Sequence, residues 1–364
     1  MKSPRDVVRP EILALSAYHV PPATGLVKLD AMENPYRLPP EFARELGSRL
    51  ADVAINRYPD PSGASLKARL RATMGIPGSL GLVLGNGSDE LIQMLSLLVA
   101  KPGAVALAVE PSFVMYRMSA VIAGLRYEGV PLGSGFALDE AAVLAAFERH
   151  RPALAWIAYP NNPTGTLFPR EALLRLAAAA PGLLVVDEAY YPFAGGASLL
   201  DAVGRVPNLL VVRTVSKLGL AGLRLGLCVG PREWTDELEK LRPPYNVNVL
   251  TAAAAEMVLA QEDLLQAQAR AIVAERAVLE RGLDALGVER FPSAANFVLA
   301  RVPPSHPGGA PAAFEGLKAR GILVKNLHGS HPQLAHCLRL TVGTPDENRK
   351  LLAALAATLG PSHA

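Results

Sequence analysis

Between about residues 80 and 230 the chain alternates short, wholly apolar runs with longer stretches whose apolar positions recur at helical spacing. The apolar runs fall at 82–84, 104–109, 154–159, 183–186, 209–212 and 225–229, several bounded by proline or glycine, and a seventh strand candidate, which carries Arg126 and Glu128, lies near 125–131. Helical stretches at 89–100, 115–123, 139–149 and 169–180 stand between most of them. Runs that are apolar throughout, rather than alternating, belong to strands buried on both faces, and the strand–helix rhythm makes their sheet mostly parallel. The expected fold is an α/β three-layer sandwich around a mostly parallel seven-stranded sheet.

Arg242-Pro243-Pro244-Tyr245 breaks this rhythm. Beyond it the pattern predicts a long helical region over 249–285, strands at 297–302, 322–325 and 337–342, a helix over 312–320, and a last helix from Asp346. Asp346 and Glu347 suit the positive end of that helix's dipole. This part reads as a smaller α+β unit. The expected division is an N-terminal arm of residues 1–29, a large domain of 30–243 and a small C-terminal domain of 244–364.

Composition narrows the partners. The 364 residues are half apolar and 19% charged, with a net charge of +3 and no dense Lys/Arg run. That balance fits a soluble enzyme and argues against nucleic acid or a membrane surface as a partner. The two cysteines, Cys228 and Cys337, lie in apolar strand-like runs without metal-type spacing, as small buried hydrophobes of a reducing compartment do. Arg5, Asp6, Arg9 and Glu11 stand where a signal peptide needs apolar residues, so a cytoplasmic location is expected.

Three segments carry chemistry, each after an apolar run: Asn161-Asn162-Pro163-Thr164-Gly165, Asp187-Glu188-Ala189-Tyr190, and Ser216-Lys217 with Arg224 behind it. In an open α/β sheet, ligands bind beyond the carboxyl ends of the strands, so these groups should meet at one rim. Lys217 alone would read as a solvated strand-end charge. With Ser216 beside it and a glycine-punctuated loop leading to Arg224, it reads as a Schiff-base amine next to a phosphate site. Asp187, ending a buried strand, is either a cap for backbone amides or the acid that keeps a pyridine nitrogen protonated. Glu188, the next residue, should point the opposite way. Asn162 and Tyr190 can each donate to a ring oxygen, although Asn-Pro followed by Gly is also turn chemistry. Gly85-Asn86-Gly87-Ser88-Asp89-Glu90 matches a dinucleotide fingerprint only weakly, but a glycine turn opening a helix, with Ser88 or Asp89 as N-cap, still offers amides to a phosphate.

In order and spacing these segments resemble the fold-type-I pyridoxal-phosphate aminotransferases, and among them the histidinol-phosphate aminotransferases. The resemblance runs from Tyr18 through Met32-Glu33-Asn34-Pro35-Tyr36, Asn56-Arg57-Tyr58-Pro59 and the segments above to Leu338-Arg339-Leu340-Thr341-Val342-Gly343-Thr344. It implies that Lys217 holds pyridoxal 5'-phosphate covalently, that Asp187 pairs with its ring nitrogen, and that Tyr190 and Asn162 bond its ring oxygen. Gly87, Ser88, Asp89, Ser216 and Arg224 would cradle the phosphate, and Phe113 would stack on the ring where many relatives have tyrosine. Tyr58 would reach the cofactor of a neighbouring subunit, making the active unit a homodimer. Tyr18, Asn34, Asn162, Lys325 and Arg339 would form the substrate side, with Lys325 where many relatives carry arginine and the loop from Lys217 to Arg224 one residue shorter than in many. The implied reaction is transamination between histidinol phosphate and 2-oxoglutarate. Another substrate on the same scaffold, an aromatic amino acid or threonine phosphate, is the alternative. A DNA-binding regulator is a third reading, which an arm of about 29 residues is too short to support.

Overall fold

The computed structural model describes residues 3–17 and 21–360. Strand β1 (Val27–Leu29) comes first in the chain. Strands β2 (Gly81–Gly85), β3 (Val105–Glu110), β4 (Arg126–Pro131), β5 (Leu154–Ala158), β6 (Leu183–Asp187), β7 (Leu209–Thr214) and β8 (Gly226–Gly230) then form one seven-stranded sheet in the order β2-β8-β7-β6-β5-β3-β4. The β3/β4, β3/β5, β5/β6 and β6/β7 pairs are parallel, while β8 runs antiparallel to β7 and β2. Parallel neighbours need a crossover helix. The short 215–225 link holds only 3-10 turns, Ser216–Leu218 and Ala221–Leu223, so the chain doubles straight back into β8. This reversal leaves the Lys217 loop at the carboxyl end of β7.

Successive strand residues feed different cores. Trp156, Val185, Val212 and Cys228 pack on one face with Tyr116 and the helix Ser88–Leu98, and Ile157, Val186, Val211 and Val229 pack on the other. Asp187 therefore falls on the face of Val185 and Tyr116, and Glu188 on the opposite one. There Glu188 Oε2 accepts from Arg213 Nε at 2.9 Å and Nη2 at 2.8 Å, and Oε1 accepts from the Leu199 amide. Both side chains are almost wholly buried, and the Arg213 guanidinium lies 4.2 Å over the Tyr191 ring. Glu188 is thus a structural acid. Removing one partner of a buried pair strands the other charge, so Glu188→Ala is expected to lower unfolding stability by roughly 3–5 kcal/mol in chemical denaturation.

The second sheet joins β1 to β9 (Glu289–Arg290), β10 (Phe297–Arg301), β11 (Ile322–Asn326) and β12 (Cys337–Thr341) in the order β1-β11-β12-β10-β9. Only β1/β11 is parallel. Helices Glu262–Ala285, Gly309–Ala319 and Pro345–Leu359 pack on this sheet around Phe297, Leu340 and Leu351. The last helix opens on a capping box between Thr344 and Glu347. The helical region expected over 249–285 is two helices, Val249–Leu259 and Glu262–Ala285. Among the described residues no helix is long and apolar enough to cross a membrane.

Candidate active site

The carboxyl ends of β5, β6 and β7 open onto a cavity of about 340 Å³. Ser88, Asp89, Phe113, Asn162, Asp187, Tyr190, Ser216, Lys217 and Arg224 all line it. The structure therefore brings together, from five separate loops, most of the residues singled out in the sequence.

Asp187 ends β6 and is 4% exposed. Its Oδ1 accepts from the Ala189 amide at 3.0 Å and its Oδ2 from the Tyr116 hydroxyl at 2.8 Å. Burial pushes its pKa up to about 6, against the opposing pull of the Tyr116 hydrogen bond. Tyr116 is stacked on Trp156 at 4.9 Å and meets Phe113 edge-on at 5.7 Å. Lys217 stands elsewhere on the cavity wall, its Nζ donating to the Ala31 carbonyl at 3.3 Å and lying 5.7 Å from the Tyr190 ring. Desolvation, and then the positive charge of Arg339, lowers the Lys217 pKa to about 8. Tyr190 is buried and packs edge-on against Phe297.

The anion-binding corner is built by three turns. Gly87, with φ 84°, is the N-cap of Ser88–Leu98, which corrects the expectation that Ser88 or Asp89 would cap it. Ser88 and Asp89 instead form the first turn, where helix amides have no intrahelical acceptor. A Cβ on Gly87 would sit 2.6 Å from Arg224 Nη2, and φ 84° strains any residue but glycine there. Arg224 Nη2 also lies 3.4 Å from Asp89 Oδ2, with both side chains about half exposed. The Thr214 and Ser216 hydroxyls lie 2.8 Å apart, with Thr214 Oγ1 also 3.0 Å from the Leu225 carbonyl and accepting from the Ser216 amide, so Thr214 fixes Ser216 at the corner.

Asn162 sits in a turn that Asn161 holds from inside. Asn161 Nδ2 donates to the Pro111 carbonyl and to Thr164 Oγ1, and its Oδ1 accepts from Ser112. The Asn162–Pro163 peptide is cis. Asn162 Oδ1 accepts from Arg339 Nη1 at 2.7 Å, and because a guanidinium only donates, the Asn162 NH₂ is the end left to donate into the cavity. Arg339, 7% exposed, also donates from Nη2 to the Asp30 carbonyl at 2.9 Å. Lys325 stands opposite it across β11/β12, and its pKa is lowered by burial and then by the Arg339 charge.

Of the remaining expected residues, two lie off the cavity lining and one is outside the described residues. Asn34 does not line the cavity; its Nδ2 donates to Gln268 and its Oδ1 accepts from the Tyr36 amide, so it braces the chain beside the Gly219 turn. Tyr58 is 81% exposed and stacked on Tyr245 at 4.5 Å. Tyr18 lies outside the described residues.

Residues 24–355 match the family described as aminotransferase class I and II. The chain is 56% identical over 352 residues to histidinol-phosphate aminotransferase of Chromobacterium violaceum, covering 96% of this chain and 97% of that protein. The chain belongs to the class I and II aminotransferases, among the histidinol-phosphate aminotransferases. A second relative, histidinol-phosphate aminotransferase 2 of Burkholderia pseudomallei, is 54% identical over 99% of this chain and 100% of its own. The crystal structure of the Sinorhizobium meliloti histidinol-phosphate aminotransferase in complex with pyridoxal-5'-phosphate superposes with a TM-score of 0.87 at 27% identity, over 97% of both chains.

Within this aminotransferase, sequence reading missed Tyr116 and Thr214, which touch Asp187 and Ser216 directly. The only available signal for Tyr116 was its place three residues after Phe113, on the same helix face. Its apolar neighbours made it look like core.

Proposed function

We infer that this aminotransferase exchanges the amino group of L-histidinol phosphate with 2-oxoglutarate, giving imidazole-acetol phosphate and L-glutamate, in histidine biosynthesis. The observation that carries the reading is one cavity holding both buried Asp187 and Lys217, an amine with its pKa lowered to about 8. The chain's full-length likeness to histidinol-phosphate aminotransferases supports the choice of substrate.

The residues present fit pyridoxal 5'-phosphate. A buried acid whose pKa has climbed to about 6 is held ionised by a cation set against it, which a protonated pyridine nitrogen is. Gly87 leaves open a cradle that a Cβ would fill. The amides of Ser88 and Asp89, with Gly87, Ser216 and Arg224, would hold the phosphate, and Phe113 the ring face. Tyr190 and the Asn162 amide would bond the ring oxygen. When bound, the cofactor supplies an electron sink for the pair left by the substrate's Cα–H bond. Asp187 keeps the ring nitrogen protonated. Lys217 Nζ takes the proton from the substrate's Cα, and its lowered pKa makes free amine available near neutrality. Tyr116 holds Asp187 in its ionised, oriented form.

Arg339, with Lys325 and Tyr18, takes the phosphate of one substrate and the side-chain carboxylate of the other in turn. Asn34 positions the Lys217–Arg224 loop rather than touching substrate. The active unit is a homodimer in the cytoplasm, with the exposed Tyr58 reaching the neighbouring subunit's phosphate site. The chain divides into the arm of residues 1–29, whose β1 is carried by the second sheet, and domains of 30–243 and 244–364.

The test is a comparison of L-histidinol phosphate, L-phenylalanine and L-threonine phosphate as amino donors, with 2-oxoglutarate as acceptor. The highest kcat/KM is expected for L-histidinol phosphate. Preference for either of the other two overturns the substrate assignment.

A further inference from the structure

The turn after β1 holds a strained residue. Met32 is 8% exposed yet has φ 51°, the left-handed region that residues with a Cβ seldom occupy. It is pinned at both ends, its amide donating to Thr341 Oγ1 at 3.1 Å and its carbonyl accepting from Asn296 Nδ2 at 2.9 Å. Both partners belong to the second sheet and its approach, so the bend is imposed from outside the turn. Its effect is to place Glu33 in the cavity that holds Lys217, Asn162 and Phe113. The residue just before the bend, Ala31, accepts from Lys217 Nζ.

Asp187 and Asp89 line the same cavity at the cofactor's ring nitrogen and phosphate corner, whereas Glu33 has no cofactor role. Arg224 and Lys217 line the cavity, Arg339 bonds its Asn162, and the cofactor's phosphate and both substrates carry negative charge. A carboxylate repels those anions and favours a group that donates from nitrogen. Histidinol phosphate brings one, the imidazole N–H, once its phosphate is held by Arg339 and its amine is taken up by the cofactor. Glu33 is also not alone: its Oε2 lies 2.6 Å from Lys28 Nζ, which in turn lies 3.4 Å from Asp30 Oδ1. With Oε2 held by Lys28, Oε1 is the oxygen presented to a ring. The lysine answers a second need, because the same site must admit 2-oxoglutarate, which has two carboxylates and no N–H.

We propose that Glu33 reads the imidazole ring of the substrate by accepting its N–H, and that Lys28 neutralises Glu33 while the dicarboxylate is in the site. The assignment rests on the histidinol-phosphate reading above. It explains how one cavity takes a ring-bearing phosphate and a dicarboxylate without a second pocket.

The test uses the holoenzyme and the ratio of kcat/KM for L-histidinol phosphate to that for L-phenylalaninol phosphate, whose ring has no N–H. Glu33→Gln is expected to lower this ratio about ten- to a hundredfold, the effect of one charge-assisted hydrogen bond. In the 2-oxoglutarate half-reaction the same variant should lower KM, because the carboxylate that Lys28 neutralises is gone. Glu33→Asp, which keeps the charge, should retain more of the ratio than Glu33→Gln. Lys28→Met should raise KM for 2-oxoglutarate. An unchanged ratio in Glu33→Gln, or equal losses on both ring substrates, overturns the proposal while the proposed reaction stands. A wild-type enzyme inert toward L-histidinol phosphate overturns both.

Discussion

Lys217→Ala is expected to lower kcat on L-histidinol phosphate by about 10⁴- to 10⁶-fold, with the fold and thermal stability kept. Two losses combine. A positioned general base is worth about 10²–10⁴-fold, and covalent anchoring of the reacting group adds the advantage of a fixed geometry. Lys217 is suited to both roles, because desolvation and the Arg339 charge bring its pKa down to about 8 and its Nζ is aimed by the Ala31 carbonyl. The cavity's anion-binding corner stays intact in the variant, so added cofactor should still bind, though reversibly. Stopped-flow single turnovers, read as ketone formed per enzyme, measure the loss directly. A variant within tenfold of wild type contradicts the assignment of Lys217 as the base.

Asp187→Asn has an expected outcome with two opposite signs. Activity should fall roughly 10²–10⁴-fold, because the ring nitrogen loses the buried charge that keeps it protonated. The cofactor-free variant should nevertheless be more stable than wild type at pH 7. Burial raises the Asp187 pKa from 3.8 to about 6, so the folded state holds this proton more tightly than the unfolded chain. Its contribution to stability is therefore present below pH 3.8 and is lost as the pH rises through about 6. The neutral amide escapes that loss, worth roughly 3 kcal/mol at pH 7. Chemical denaturation of both cofactor-free proteins at pH 7 and pH 4 checks this: the gap should be large at the first and small at the second. With cofactor bound the order should reverse, since the carboxylate then has its cation.

Most strands of the large sheet were readable because they are short and apolar on both faces, as in a doubly covered sheet; the edge strand β4, with Arg126 and Glu128, is the exception. Lys217, Asp187 and Asn162 were readable because each directly follows such a run, where the topology delivers ligand contacts. Tyr116 was hidden by the same logic. It lies in an apolar helical stretch, and nothing local to the sequence reveals that its hydroxyl meets a carboxylate 71 positions away. Strand β1 was missed because three residues, two half-buried and one buried, are too few to give a periodicity, and its partner Ile322–Asn326 lies far along the chain. The cap at Gly87 was misplaced by one or two residues, since Ser88 and Asp89 are the stronger capping types but φ 84° suits glycine. Asn34 has no periodic signal, and its bonds to Gln268 and the Tyr36 amide join positions too far apart, or too local, to read from the sequence. The alternation of Asp187 and Glu188 was correctly anticipated, because two-residue periodicity along a strand depends on backbone geometry alone.

The most direct measurement is to treat the cofactor-loaded enzyme with borohydride, digest it, and locate the retained cofactor by mass spectrometry. The account predicts stoichiometric modification of Lys217 and of no other lysine. Modification of a different residue, or none at all, would contradict it.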